Sequence, residues 1–148
     1  MGGQSLPAVR FYLGMIHQIT DYLLRKLPDS FKGWTREAVE DYVLFHLDQG
    51  TLKVATQDDQ VVAVLVGWRQ LSPNPQAWAW QASDPEGDHW YWHQFAADNA
   101  IFAMAVAAKF FHDRPESAIL PAIGYRNGKL TTYPKGSMPI YRVASKHL

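Results

Sequence analysis

Apolar residues recur at three- and four-residue steps from Val9 through Tyr12, Leu13, Ile16, Thr20 and Leu23 to Leu27. That period puts them on one side of a helix, so an amphipathic helix is predicted from Pro7 to about Leu27. Pro7 suits a first helical turn and Pro28 ends the helix. A loop from Pro28 to Gly33 follows. Thr35 is then the predicted cap of a second helix, with Glu37, Glu40 and Asp41 complementing its positive end. Val39, Tyr42, Val43, His46 and Leu47 form its inner face, and Gly50 is a C-terminal stop.

After Gly50 the period changes. Thr51 to Thr56 alternates weakly and reads as a strand, and Gln57-Asp58-Asp59-Gln60 turns the chain. Val61 to Arg69, VVAVLVGWR, is a near-continuous apolar run, the pattern of a strand buried on both faces. Gly67 interrupts it, as either a bulge or a close backbone approach. Leu71 to Gln76 is a Pro-bearing loop. Trp78 and Trp80 alternate with Ala77 and Ala79, as an extra strand or an aromatic lid.

The stretch from Gly87 to Phe111, GDHWYWHQFAADNAIFAMAVAAKFF, organises the rest. Trp90 to Phe95 reads as a strand, because aromatic residues fit a pleated, half-buried surface. Ala96-Ala97-Asp98-Asn99 is predicted to break it. Ala100 to Phe111 is Ala-rich and free of Gly and Pro, a buried helix with Asp98 or Asn99 as its N-cap. Asp113-Arg114-Pro115 stops that helix. Ala118 to Tyr125 is a predicted strand, with Pro121 marking an edge or a bulge. Asn127-Gly128 favours a tight hairpin, Leu130 to Tyr133 returns, Pro134-Lys135-Gly136 turns again, and Ile140 to Ala144 is a last short strand. Strands in hairpins with a helix after the central one predict an α+β domain spanning residues 1–148.

Composition narrows the chemistry. Fourteen basic and fourteen acidic residues cancel, which argues against a nucleic-acid binder working through a general basic surface. The chain has no Cys, so disulfides, thiol catalysis and Cys-based zinc sites are excluded, and a cytoplasmic location is the expectation. The N-terminal stretch lacks the basic start and clean apolar core of a signal peptide, and no apolar run is long enough for a membrane span. Six Trp are many for this length, but their strand-like contexts favour core and rim packing over a stacking surface.

The candidate chemistry lies where the aromatic strand meets the Ala-rich helix. Free N–H groups and the helix dipole make such an N-terminus an anion seat. His93 stands in the strand just before it. His17 lies at the edge of the first helix's apolar face. His89 and His93 share a strand face but stand about 13 Å apart along it, so no metal site is expected.

The element order resembles the N-acetyltransferase-like (GNAT) fold, in which the loop after the fourth strand cradles the pyrophosphate of acyl-CoA. A closer resemblance is to the toxin-activating lysine acyltransferases, GNAT-like enzymes that fatty-acylate RTX protoxins. GDHWYWHQFAADNAIFAMAVAAKFF is similar to that family's Gly-Asp…Trp-Phe…Ala…Asp-Asn block, with its following helix and Lys-Phe. Val61-Val62-Ala63…Trp68…Leu71-Ser72 resembles the Pro-Val-Ala…Trp…Leu-Ser of the central hairpin. Ala122-Ile123…Arg126 with Gly128-Lys129, then Lys135-Gly136, resembles the segment that follows. Gly14-Met15-Ile16-His17 sits where the family has Ser-x-x-His, whose His is catalytic. These landmarks run in the same order over most of the chain. Two departures stand out. Ala96-Ala97-Asp98-Asn99 replaces the usual glycine-rich loop of the GNAT fold, and His93 occupies the position of the acyltransferases' catalytic Asp.

The resemblance implies a single-domain acyltransferase that moves an acyl group from acyl carrier protein or acyl-CoA to an amine, a protein lysine above all. His17 and His93 are the implied catalytic residues. Ala96, Ala97, Asp98, Asn99 and Ala100 are the implied seat of the donor phosphate, through the N–H groups of residues 97–100. No permanently bound cofactor is implied, and acyl carrier protein and a protein acceptor are the implied partners. The lost Asp and the missing glycine loop point to the alternative, a non-catalytic GNAT-like binding module, such as one from a phage or mobile element.

Overall fold

The computed structural model describes residues 6–71, 82–126 and 129–134. Two helices come first, α1 (Leu6–Lys26) and α2 (Arg36–Gln49). Three strands follow, β1 (Leu52–Gln57), β2 (Gln60–Gln70) and β3 (His89–Ala97). Then come α3 (Ala100–Asp113), the single turn α4 (Glu116–Ile119), β4 (Ala122–Arg126) and β5 (Lys129–Tyr133). The strands form one sheet in the order β1-β2-β3-β4-β5. Neighbours are antiparallel except β3 and β4, which are parallel. A parallel pair needs a crossover, and α3 with α4 supplies it. The fold is thus α+β, a mixed and largely antiparallel sheet with flanking helices, as the sequence predicts. Among the described residues the crossover helix follows the third strand rather than the fourth. No described helix is long and apolar enough to cross a membrane.

The α1 face that packs on the sheet is Ile16, Ile19, Thr20, Tyr22 and Leu23, each nearly or fully buried. Burying an apolar side chain of this size contributes roughly 1.5–3 kcal/mol. Leu13, expected on that face, is 51% exposed, because the packed surface begins one turn later. Thr20 is tolerated inside because its hydroxyl donates to Ile16 O at 2.8 Å. Thr35 caps α2 by accepting from the Ala38 N–H at 3.1 Å, and Gly50 closes it at φ 72°. Thr35→Ala is expected to cost about 1 kcal/mol, read as a lower urea midpoint at unchanged slope. An unmoved midpoint would show that the cap contributes nothing.

Strand β2 is buried along nearly its whole length, as its apolar run predicts. Val64, Val66 and Trp68 join the core beneath α1 and α2, whereas Ala63 and Leu65 join the core beneath α3. The hairpin into β2 turns on Asp58 and Asp59, both at positive φ (52° and 62°). Asp tolerates that region better than most residues, and a two-residue turn of this hand matches the strand twist. At Gly67 the bulge reading holds, and the close approach there is made by two indole side chains rather than by backbone. The β2–β3 register slips between Val66, opposite Gln94, and Gly67, opposite Trp92, which leaves His93 as the extra residue of a bulge. A Cβ on Gly67 would lie 2.5 Å from Trp92 Cε3 and 2.7 Å from Trp90 Nε1.

Two expectations are corrected, and one choice is decided. Ala96 and Ala97 do not end β3 but continue it, because they pair with Val64 and Ala63 of β2. Of the two predicted caps of α3 it is Asn99 that serves: its side chain accepts from the Phe102 N–H at 3.0 Å. Residues 118–120 are not strand. Pro115 opens the α4 turn, whose last bond runs from the Leu120 N–H to Glu116 O, and β4 starts only at Ala122, after Pro121. The readings placed on Trp78 and Trp80, Asn127-Gly128, Lys135-Gly136 and Ile140 to Ala144 lie outside the described residues.

Candidate functional site

Strand β3 is longer than its pairing with β4. Only Trp90, Tyr91 and Trp92 find partners, at Ala122, Ile123 and Gly124, so β3 runs on from His93 to Ala97 without β4 beside it. The chain then turns through Asp98 and Asn99 into α3. A cavity of about 230 Å³ opens at this divergence. Phe95, Ala96 and Ala97 of β3 line one side, Asn99 and Ala103 of the α3 start another, and Lys26 and Leu27 at the end of α1 close it. The three alanines keep it open, because longer side chains at those positions would fill the space.

Of the five residues expected at a donor seat, Ala96, Ala97 and Asn99 line this cavity, and Asp98 and Ala100 flank it. The α3 N-terminus is only partly available. Asn99 takes up the Phe102 N–H with its side chain and the Ala103 N–H with its carbonyl. The Asp98 N–H donates to Val62 O at 2.9 Å and is already used. The N–H groups of Ala100 and Ile101 remain as helix-end donors.

The Asp98 carboxylate stands at this end of the helix too. Its Oδ1 lies 3.0 Å from Lys26 Nζ and 3.0 Å from the Tyr22 hydroxyl, which also lies 2.8 Å from Val62 O. Burial disfavours the Asp98 charge, but the bonds from Lys26 and Tyr22 outweigh it and hold the carboxyl below the usual carboxylate range. Burial, with the Asp98 bond and charge added, pushes the Tyr22 phenol well above its ordinary value. Arg25 and Lys26 lie over the Tyr22 ring at 5.4 and 5.7 Å from its centroid, so the cations at the end of α1 are held near the cavity.

His93 faces the α2 side of the sheet. Its Nδ1 lies 2.7 Å from the Tyr42 hydroxyl. The ring packs against Trp68, Tyr42 and Tyr91, with centroids 5.1, 5.4 and 5.8 Å away. Behind Trp68, His46 is fully buried, stacked on the indole, with its Nδ1 2.7 Å from Thr51 Oγ1. Burial, and then the nearby His46, lowers the His93 pKa to about 3, so the ring is neutral at pH 7.

His17 is placed elsewhere. Its side chain is 58% exposed, and Nδ1 lies 2.6 Å from Glu40 Oε2. Arg36 shares Glu40, at 3.3 Å, and also binds Asp21 at 2.6 Å. Glu40 and Tyr42 are two residues apart on α2, hence about 200° apart around its axis. His17 and His93 therefore engage opposite flanks of α2, and no hydrogen bond or ring contact joins them among the described residues. Nor do they line the cavity. His89, at the entrance of β3, has its Nδ1 3.0 Å from Asp88.

Sequence reasoning missed Tyr22, Lys26 and Tyr42 as parts of the site. Tyr22 and Lys26 are four apart on α1, a legible pair, but their partner Asp98 is more than seventy residues away. Tyr42 is a core residue, as its place on the inner face of α2 predicts. Its hydroxyl is what ties it to His93.

No protein-family model matches the chain, and no curated protein matches it either. Among solved structures the chain is similar to one titled "GphF GNAT-like decarboxylase in complex with isobutyryl-CoA". The identity is 13% and the TM-score 0.48, over 76% of this chain and 61% of that one, so this chain spans less than two thirds of that protein's length.

Proposed function

We propose that the protein binds an acyl thioester through its phosphopantetheine arm and transfers the acyl group to an amine. One observation carries this reading: β3 outruns β4, and a cavity of about 230 Å³ lies between its free end, the start of α3 and the end of α1. Among the described residues the β3 edge beyond Trp92 is unpaired on that side, and it offers backbone groups to the amides of a pantetheine arm, much as a sheet edge accepts an extended peptide. The N–H groups of Ala100 and Ile101, with Lys26, face the arm's phosphate. The arm then leads along β3 towards the bulge at His93. There the amine nitrogen of the acceptor attacks the thioester carbonyl, the C–S bond breaks, the thiolate leaves and the amine proton passes to solvent or to that thiolate. His93 is neutral and would polarise the carbonyl. His17, bound to Glu40 on the other flank of α2, carries no step in this scheme. Acyl-CoA and acyl carrier protein are both donors of the required chemistry, and a lysine side chain is the acceptor class.

A second reading, binding without transfer, draws on the Asp98 carboxylate. It places negative charge at the helix end where the phosphate would sit, and its N–H is already used. Calorimetry with coenzyme A and with acyl carrier protein, paired with mass spectrometry of lysine peptides incubated with acyl donors, separates the two. The expected result is saturable binding and an acyl mass increment on lysine. Ala97→Phe should fill the cavity and abolish binding in a protein that circular dichroism shows to be folded. Binding without any increment would favour the second reading. No binding of either donor by the folded wild-type protein would end both.

A further inference from the structure

The bulge at Gly67 and His93 turns one imidazole out of the regular ladder and against Tyr42. The roles in that bond can be assigned from the surroundings. Tyr42 is fully buried, and among the described residues His93 Nδ1 is the single hydrogen-bond partner of its hydroxyl. Burial, and then the charge of Tyr91, pushes the Tyr42 phenol well above its ordinary value, so it keeps its proton. A buried hydroxyl with one partner must donate to it, because an O–H left pointing at apolar neighbours costs the desolvation of a polar group. Nδ1 is therefore the acceptor. A neutral imidazole that accepts at Nδ1 carries its hydrogen on Nε2. Nε2 makes no bond with any described residue, so its hydrogen is the one available for a further partner.

We propose that Tyr42 is a positioning residue that holds His93 as the neutral Nε2–H tautomer, making His93 a hydrogen-bond donor to an acyl carbonyl rather than a general base. The donor role rests on the acyl-transfer reading above, whereas the tautomer does not. Among the described residues, the titratable groups facing His93 are Tyr42 and His46 from α2 and Tyr91 from its own strand, while Trp68 of β2 covers it with an apolar face. None of these offers a carboxylate that would stabilise an imidazolium. A ring built to accept a proton during turnover normally has such a partner on its second nitrogen. A phenol that donates to Nδ1 does the reverse, since it favours the neutral ring.

The test has two arms. In the first, nitrogen-15 NMR of histidine-labelled protein at pH 7 reads the tautomer directly. The expected result is a single Nε2–H form for His93. In Tyr42→Phe the titration midpoint of His93 should rise by roughly one pH unit, the worth of one buried hydrogen bond to the neutral form. An Nδ1–H form in the wild type, or an unmoved midpoint in Tyr42→Phe, would overturn the assignment. In the second arm, acyl transfer is compared in His93→Gln, which keeps an N–H donor but no ring base, and His93→Leu, which keeps neither. The Leu variant should lose about 10²–10³-fold, as when one donor to a developing oxyanion is removed, and the Gln variant should retain most activity. Equal loss in both variants would overturn the donor role. A wild-type protein that transfers no acyl group from any donor would instead remove the acyl-transfer reading, while the NMR arm decides the tautomer by itself.

Discussion

Acidification from pH 6.5 to pH 4 is expected to cost the wild-type protein about 2–3 kcal/mol of stability through His93 alone. The sign follows from where the proton binds. The folded ring has a pKa of about 3, and the unfolded ring an ordinary value of 6.5. Above pH 6.5 neither state is protonated, and the full stability is present. Between pH 6.5 and 3 the unfolded chain takes up a proton that the folded ring refuses, so stability is lost as pH falls across that window. Each pH unit inside it is worth about 1.4 kcal/mol, reduced somewhat because the ring edge is not wholly buried. Asp98 and Asp113 also have lowered values, but their effect begins only in the ordinary carboxylate range and below, near the acid end of the window. His93→Gln keeps an oxygen acceptor for Tyr42 and removes the titration. Urea midpoints at pH 7, 5.5 and 4 should therefore fall more gently in the variant than in the wild type. Parallel pH curves for the two proteins would show that His93 titrates normally in the folded state.

The same ring marks the limit of what the sequence discloses. The helices are legible because their evidence is local: the three- and four-residue spacing, Thr35 at one end of α2 and Gly50 at the other all act within a turn or two. The double burial of β2 is legible for the same reason, since an apolar run of that length has few alternatives. Where tertiary pairing overrides local preference, the sequence misleads. Ala96 and Ala97 are poor strand formers, yet β2 supplies Val64 and Ala63 as partners and keeps them in the ladder. Ile119 and Leu120 continue the apolar run into Ala122 and Ile123 and so read as strand, yet the preceding Pro115 starts a helical turn. The site depends on longer connections still. That the cavity lies at the start of α3 could be read from the small residues between strand and helix. That Lys26 would close it, that Asp98 would bind Lys26 instead of capping the helix, and that His93 would meet Tyr42 rather than His17 all depend on how α1 and α2 lie on the sheet, which no periodicity encodes.

Gly67→Ala is expected to destabilise the protein by about 3 kcal/mol, near the upper end for overpacking a core. The position is not a matter of backbone freedom, since its φ is ordinary. It is a matter of space. The new Cβ would stand 2.5 and 2.9 Å from two atoms of the Trp92 ring and 2.7 Å from Trp90 Nε1, closer than real contacts allow. Neither indole can yield easily. Trp90 is fully buried and packs edge-on against Phe110, and Trp92 packs against both Phe110 and Phe111. The strands cannot part instead, because Gly67 faces Trp92 in the central β2–β3 ladder, with paired residues on both sides. Relief must come from shifting both indoles and with them the core beneath α3. Gly14→Ala supplies the contrast. It is exposed on α1, a Cβ there meets nothing within 4 Å, and the substitution should stabilise the protein by about 0.5–1 kcal/mol through helix propensity alone. Thermal and urea unfolding of the two variants should move in opposite directions. Because Gly67 and His93 belong to the same bulge, the Ala variant should also disturb the Tyr42–His93 bond, visible as a changed His93 nitrogen-15 signal in whatever folded fraction remains. A Gly67→Ala protein as stable as the wild type, with that signal unmoved, would mean that the two tryptophans do not close over the glycine as described.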